Sequence, residues 1–160
     1  MTTRSKKLVV AGVAATLVSM VGAFEGLRTY AYKDPVGIPT VCFGETWNAG
    51  ANRPVQMGDK FTVEQCKAML GDRLAEFAAG VERCAPGLPE QRKAAYTSFA
   101  YNVGVHRFCT SSIVRLEAEG KPEAACRFLD RYVYARGIRL PGLVKRRAAE
   151  RDLCLGIAPR

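Results

Sequence analysis

The stretch 24-FEGLRTYAYKDPVGIPT-40 changes character at its second residue. Upstream of Glu25 lie 17 residues without a charge, Leu8 to Phe24, "LVVAGVAATLVSMVGAF". Downstream the chain is polar, aromatic and rich in turn-forming residues. Glu25 and Asp34 stand nine positions apart, and Thr40 follows six positions after Asp34. Two carboxyls and a hydroxyl are thus packed into a short block at the foot of an apolar run, and the reading of that junction decides the fold.

The apolar run is at the lower length limit for a membrane helix, which needs about 17–25 residues. Arg4, Lys6 and Lys7 precede it and the bulk of the chain follows, so the charge bias places the N-terminus in the cytoplasm and the rest outside. Gly12, Thr16, Ser19 and Ala23 recur at i, i+4, i+7 and i+11, a weakly polar stripe of small residues on one helix face. Such a helix gains less from lipid than a leucine-rich one. Val21–Gly22–Ala23 also reads as a small-residue cleavage site. Cutting there would leave Glu25 close to a new, mobile terminus and remove the helix that supports it. The expectation is therefore an uncleaved membrane segment over residues 1–24 and one soluble domain over residues 25–160.

The whole chain has 160 residues, 48% of them hydrophobic and 24% charged, which suits one domain with a real core and argues against disorder. Its net charge of +9 favours polyanionic partners such as nucleic acid, anionic lipid or wall polymer. No nucleic-acid-binding signature accompanies it, and an exported chain would not meet nucleic acid. The six cysteines form no C-x-x-C pair and there is a single histidine, His106, so neither a zinc site nor any other metal or cofactor is indicated. An even cysteine count in an oxidising compartment points to disulfides, against the alternative of buried free thiols. Near-even spacing makes local pairing the simplest pattern: Cys42 with Cys66, Cys84 with Cys109, Cys126 with Cys154. Cys42, two residues after Thr40, is the candidate for an inactive disulfide isomer.

Residues 27–58 read as short strands and turns, with breaks at Asp34-Pro35, Gly37, Asn48-Ala49-Gly50 and Gly58. From Thr62 the period becomes helical. Thr62 and Gln65 form a capping box, and Val63, Cys66, Met69, Leu70, Leu74 and Phe77 repeat at helical spacing. Further helices are predicted over 89–104, 110–119, 122–134 and 141–155. The fold class is α+β: mostly helical, with a small β-hairpin flap near the start of the domain.

Glu25 lies between Phe24 and Leu27, a setting that would keep a carboxyl protonated. Asp34 sits in a turn beside Lys33, where it would stay ionised. Two carboxyls in opposite environments suit acid-assisted glycoside hydrolysis, with Thr40 helping to hold a water. By spacing alone an ordinary surface pair fits as well.

The block Glu25-Gly26, Ala31-Tyr32-Lys33-Asp34, Gly37-Ile38-Pro39-Thr40 and Gly44-Glu45-Thr46 resembles the active-site block of T-even-like phage lysozymes, glycoside hydrolase family 24. "AAYTSFAYNVG" at 94–104 resembles that family's central buried helix, and "GLVKRRAAERDLC" at 142–154 its C-terminal helix. The resemblance runs in order over residues 23–155. It implies a lysozyme-like domain that cuts the β-1,4 link between N-acetylmuramic acid and N-acetylglucosamine in peptidoglycan. Glu25 is then the general acid, and Asp34 and Thr40 hold and activate the attacking water. Asn102 and one of Arg146 and Arg147 match cleft positions, with a buried capping amide and a solvated basic face as the alternatives. Trp47 would stack on sugar or close the flap, and His106 is read as a loop residue without a catalytic part. Glu45 departs from the pattern and puts an extra carboxylate beside the block.

Together with residues 8–24 the chain resembles the signal-arrest-release endolysins. These are exported uncleaved, held inactive at the host inner membrane with the domain in the periplasm, and freed as soluble monomers when a holin or pinholin collapses the membrane potential. The competing readings are a membrane-anchored, non-enzymatic module that binds the wall, and a lytic transglycosylase, which would need neither Asp34 nor Thr40.

Overall fold

In the computed structural model the chain is described over residues 3–158, with side chains described from residue 14 onward. By internal packing it resolves into two compact units, one of them Val18–Arg73 and the other containing Leu74 onward.

Helix α1 runs Thr3–Glu25. It stops at Glu25 because Gly26 takes a left-handed φ of 73° and returns its N–H to the Gly22 carbonyl at 3.1 Å, a glycine cap that an L side chain disfavours. The first part of the apolar run, residues 8–13, and the basic flank before it have side chains outside the described residues. No helix among the described residues is long and apolar enough to cross a membrane. Val21 is fully buried, and Gly22 faces the Phe43 ring so closely that a Cβ would lie 3.1 Å from it.

After the cap the chain forms β1 (Arg28–Lys33) and β2 (Pro39–Cys42), antiparallel, with Tyr32 opposite Thr40 and Lys33 opposite Pro39. The short ladder β3 (Trp47–Asn48) and β4 (Arg53–Pro54) follows. Asp59 ties this flap together. It accepts both terminal nitrogens of Arg53 at 2.8 and 3.0 Å, the Gln56 N–H at 3.0 Å and the Asn48 amide at 3.3 Å. These bonds, the Arg53 contact first, hold the Asp59 carboxyl far below the usual carboxylate range.

Helix α2 (Val63–Cys84) opens with the predicted capping box. The Thr62 N–H donates to Gln65 Oε1 at 2.8 Å, and the Gln65 N–H to Thr62 Oγ1 at 3.1 Å. Then come α3 (Glu90–Val103), α4 (Val105–Cys109), α5 (Ser112–Ala118), α6 (Pro122–Phe128), a 3-10 turn (Leu129–Arg131), the hairpin β5 (Tyr134–Ala135) and β6 (Ile138–Arg139), and α7 (Pro141–Leu155). Helix α3 is buried at every position from Ala94 to Ala100. Small residues and self-satisfied hydroxyls permit that: Thr97 Oγ1 donates to its own helix at the Lys93 carbonyl, 2.7 Å away. Tyr96, Phe99, Phe108, Ile113 and Leu129 make the core around it. The Tyr96 hydroxyl donates to Glu117 Oε1 at 2.6 Å, and burial first, then this bond, raises its pKa.

Some expectations need correction. The helix predicted over 122–134 ends at Phe128, and a 3-10 turn and a hairpin follow it. The helix predicted over 110–119 begins at Ser112. His106, expected in a loop, lies on the short helix α4.

All three disulfides pair locally as the spacing suggested: Cys42–Cys66, Cys84–Cys109 and Cys126–Cys154, with Cα atoms 5.0, 5.4 and 5.6 Å apart. Each joins residues 24 to 28 positions apart. Chain entropy makes such a cross-link worth about 3.5 kcal/mol. The double variant Cys126→Ser/Cys154→Ser is expected to melt about 10 °C lower than the parent by circular dichroism; an unchanged midpoint would show that the bond adds nothing. Asp59 has a folded pKa below its unfolded one, so its stabilisation is complete above about pH 4 and fades as the pH falls further. Asp59→Asn should therefore lower the melting temperature at pH 6 and flatten its decline between about pH 4 and 2. A parallel decline in both proteins would refute this role.

Candidate functional site

The hairpin joins Asp34 and Thr40 through one residue. Asp34 Oδ1 accepts the N–H groups of Val36 at 3.0 Å and Ile38 at 2.8 Å. The Ile38 carbonyl accepts the Asp34 N–H at 3.0 Å and the Thr40 hydroxyl at 2.9 Å. The turn closes because Gly37 takes a φ of 86° and donates to the Asp34 carbonyl at 2.9 Å. Both polar side chains are therefore fixed to the Ile38 backbone. Thr40 spends its proton on that carbonyl, so its remaining lone pairs can only accept. Among the described residues no hydrogen bond goes to Asp34 Oδ2. Two acceptors on one rigid turn can take the two protons of a single water and leave its lone pair directed at a substrate.

Glu25 is the last residue of α1, positioned by the Gly26 cap. It is exposed, and its neighbours Phe24 and Leu27 are themselves 36% and 40% exposed, so they do not enclose it as expected. Glu45, expected as an extra carboxylate beside the block, is buried and paired with Arg73 of α2 at 3.3 Å. Trp47 on β3 presents half of its surface to solvent.

On α7 the predicted basic residues behave unlike a solvated face. Arg147 is fully buried and Arg146 nearly so. Arg147 Nη1 donates to Glu150 Oε2 at 2.7 Å, and Arg146 Nε to Glu150 Oε1 at 3.2 Å. Ser98 Oγ of α3 donates to the same carboxylate at 2.7 Å, and Arg146 Nη2 to the Ser98 carbonyl at 3.2 Å. The Arg147 guanidinium also lies 4.9 Å over the Phe99 ring. Burial pushes the Glu150 carboxyl up against the pull of both arginines and Ser98, and pulls Arg147 down. Asn102 is exposed, not a buried capping amide, and its Oδ1 accepts from Arg147 Nη2. That bond turns the Asn102 amide nitrogen, a donor, away from the guanidinium.

Sequence reasoning missed Glu150 and Ser98 here, and Arg53 with Asp59 in the flap. Glu150 was signalled by R-R-x-x-E at 146–150, whose i+3 and i+4 spacings bring one carboxylate to two guanidiniums, whereas Ser98 comes from 52 residues away without a local signal.

The family model described as phage lysozyme matches residues 22–150. The SAR-endolysin of Bacteriophage PS119 is 37% identical over 147 residues, covering 89% of this chain and 85% of that protein. The SAR-endolysin of Enterobacteria phage P21 is 36% identical over 149 residues, covering 92% and 87%. Among solved structures, a point mutant of P22 lysozyme superposes with a TM-score of 0.80 at 26% identity, covering 88% of this chain and 95% of that one. The family match spans the Asp34–Thr40 turn, the buried helix α3 and the Glu150 cluster alike, and on it the chain belongs to the phage lysozyme family as an endolysin.

Proposed function

We propose that this endolysin hydrolyses the β-1,4 link between N-acetylmuramic acid and N-acetylglucosamine, with Glu25 as general acid and Asp34 and Thr40 holding the attacking water. The observation that carries the reading is the shared Ile38 backbone, which makes two rigid acceptors out of Asp34 and Thr40. A water held this way attacks as Asp34 takes its proton and Glu25 protonates the leaving oxygen, which inverts the anomeric centre. Trp47 offers an exposed aromatic face for a sugar. Asn102 offers a donor to an acetamido or hydroxyl oxygen; Arg147 acts on the glycan by holding Asn102, and Arg146 acts through the Glu150 carboxylate that the two arginines share. A lytic transglycosylase would have no use for the Asp34–Thr40 pair.

The same proposal covers delivery. Residues 8–24 hold the chain uncleaved at the host inner membrane, N-terminus in the cytoplasm and domain in the periplasm. Collapse of the membrane potential by a holin or pinholin frees it as a soluble monomer. A small-residue stripe in the segment and the SAR-endolysin relatives support this.

Glu25→Gln should cut turnover of purified peptidoglycan by about 100-fold or more at an unchanged melting temperature, since a general acid contributes roughly 10²–10⁴-fold. Retained activity would remove Glu25 from its role, and anhydro-sugar products by mass spectrometry would replace hydrolysis with transglycosylation. Full-length protein expressed alone should fractionate with the inner membrane. Lysis should begin only on dissipation of the potential, with no change in protein mass. Lysis without collapse, or a shortened protein, would overturn the tether.

A further inference from the structure

The hairpin β5–β6 plays no part in the chemistry above, yet its composition is unusual. Tyr134 is 58% exposed, Ile138 64% and Leu140 38%. Arg131, Arg136 and Arg139 are exposed around them, and no acidic residue occurs between Asp130 and Glu150. The register pairs Tyr134 with Arg139 and Ala135 with Ile138. Successive pairs face opposite sides of a ribbon, so one exposed apolar side chain stands on each face. A partner protein lying against the hairpin would cover one face only. A medium that surrounds the tip covers both.

The tip itself carries a second signal. Its two-residue loop has positive φ at both positions, 51° at Arg136 and 76° at Gly137, as in a type I′ turn. Asn, Asp or Gly ordinarily takes the first of these positions, because a long L side chain is strained there. The chain accepts that strain and so places a cation at the outermost point of the loop.

We propose that this hairpin docks tip-first onto an anionic phospholipid surface. Tyr134 and Ile138 enter the headgroup–acyl boundary, and Arg136, Arg139 and Arg131 meet lipid phosphates. The depth fits: Tyr134 and Ile138 stand within two residues of the Arg136–Gly137 loop, roughly 7 Å of strand, comparable to the boundary layer that amphipathic segments occupy. Arginine stems snorkel along such a boundary with their heads at the phosphates. Anionic wall polymer would match the charge and leave the two apolar faces without a role. This contact is separate from residues 8–24 and would keep a freed enzyme at the membrane surface.

The test uses full-length protein with Trp47→Phe and a reporter tryptophan at the hairpin, Ile138→Trp, with Tyr134→Trp as a parallel probe. Brominated phosphatidylglycerol/phosphatidylethanolamine vesicles should quench and blue-shift the reporter well beyond what brominated phosphatidylcholine does, where residues 8–24 alone hold the chain. Adding Arg136→Gln and Arg139→Gln should weaken the apparent affinity about 25-fold, roughly five-fold per charge. Absence of quenching from both probes would overturn the proposal. So would equal quenching by neutral lipid, or indifference to the two arginines. Binding to purified sacculi that falls with the same substitutions, without a vesicle response, would reassign the hairpin to wall polymer.

Discussion

The Glu150 carboxylate carries much of the structure behind it. It is wholly buried and shared by two guanidiniums and a hydroxyl. Taken out of water, such a group is tolerable only with good geometry and every lone pair used, and removing one member strands charge in a low-dielectric interior. This constraint explains two separate observations. Helix α3 can be buried all round because Ser98, its one outward hydroxyl on that side, is answered from α7. Asn102 has a defined orientation because the guanidinium that contacts it is fixed from the other end by Glu150.

The flap is held differently. It has few buried apolar residues, and small elements of this kind need cross-links or polar staples to be rigid. The Cys42–Cys66 bond, the Asp59 hub and the Glu45–Arg73 pair supply them. Rigidity matters here because the proposed water site has tolerances of a fraction of an ångström, and its two acceptors belong to a single turn. Apolar packing, two disulfides and the Glu150 cluster hold the helical unit, whereas the flap depends on its polar and covalent ties with little core beneath them.

Legibility in the sequence followed the range of the determining interactions. Helix α7 was predicted at its observed bounds, Pro141–Leu155, because a proline opens it and a glycine follows. The capping box at Thr62 and the local disulfides were legible for the same reason: each depends on residues near in sequence. The Asp34–Thr40 grouping was visible as spacing, whereas the Ile38 backbone that joins them is a property of the turn. The hairpin after α6 escaped because Arg136 stands where an Asn or Gly would have announced the turn. Arg146 and Arg147 were read as a cleft position with a solvated face as the alternative, and nothing local reveals that both are buried against α3. Glu25 was expected in an apolar enclosure since its neighbours in sequence are apolar, but those neighbours are turned to solvent.

The contact between Gly22 and the Phe43 ring narrows what evolution can do with α1. In the proposed life cycle the same residues serve two solvents, first lipid and then the protein's own interior. A bulkier residue at position 22 would be welcome in lipid, yet its Cβ alone would lie 3.1 Å from the ring, which would have to give way. On that proposal greasiness and fit are opposed at a single site. Selection for tighter anchoring would have to act on other faces of the helix, which leaves the timing of lysis as a trait tuned within a narrow corridor of allowed substitutions.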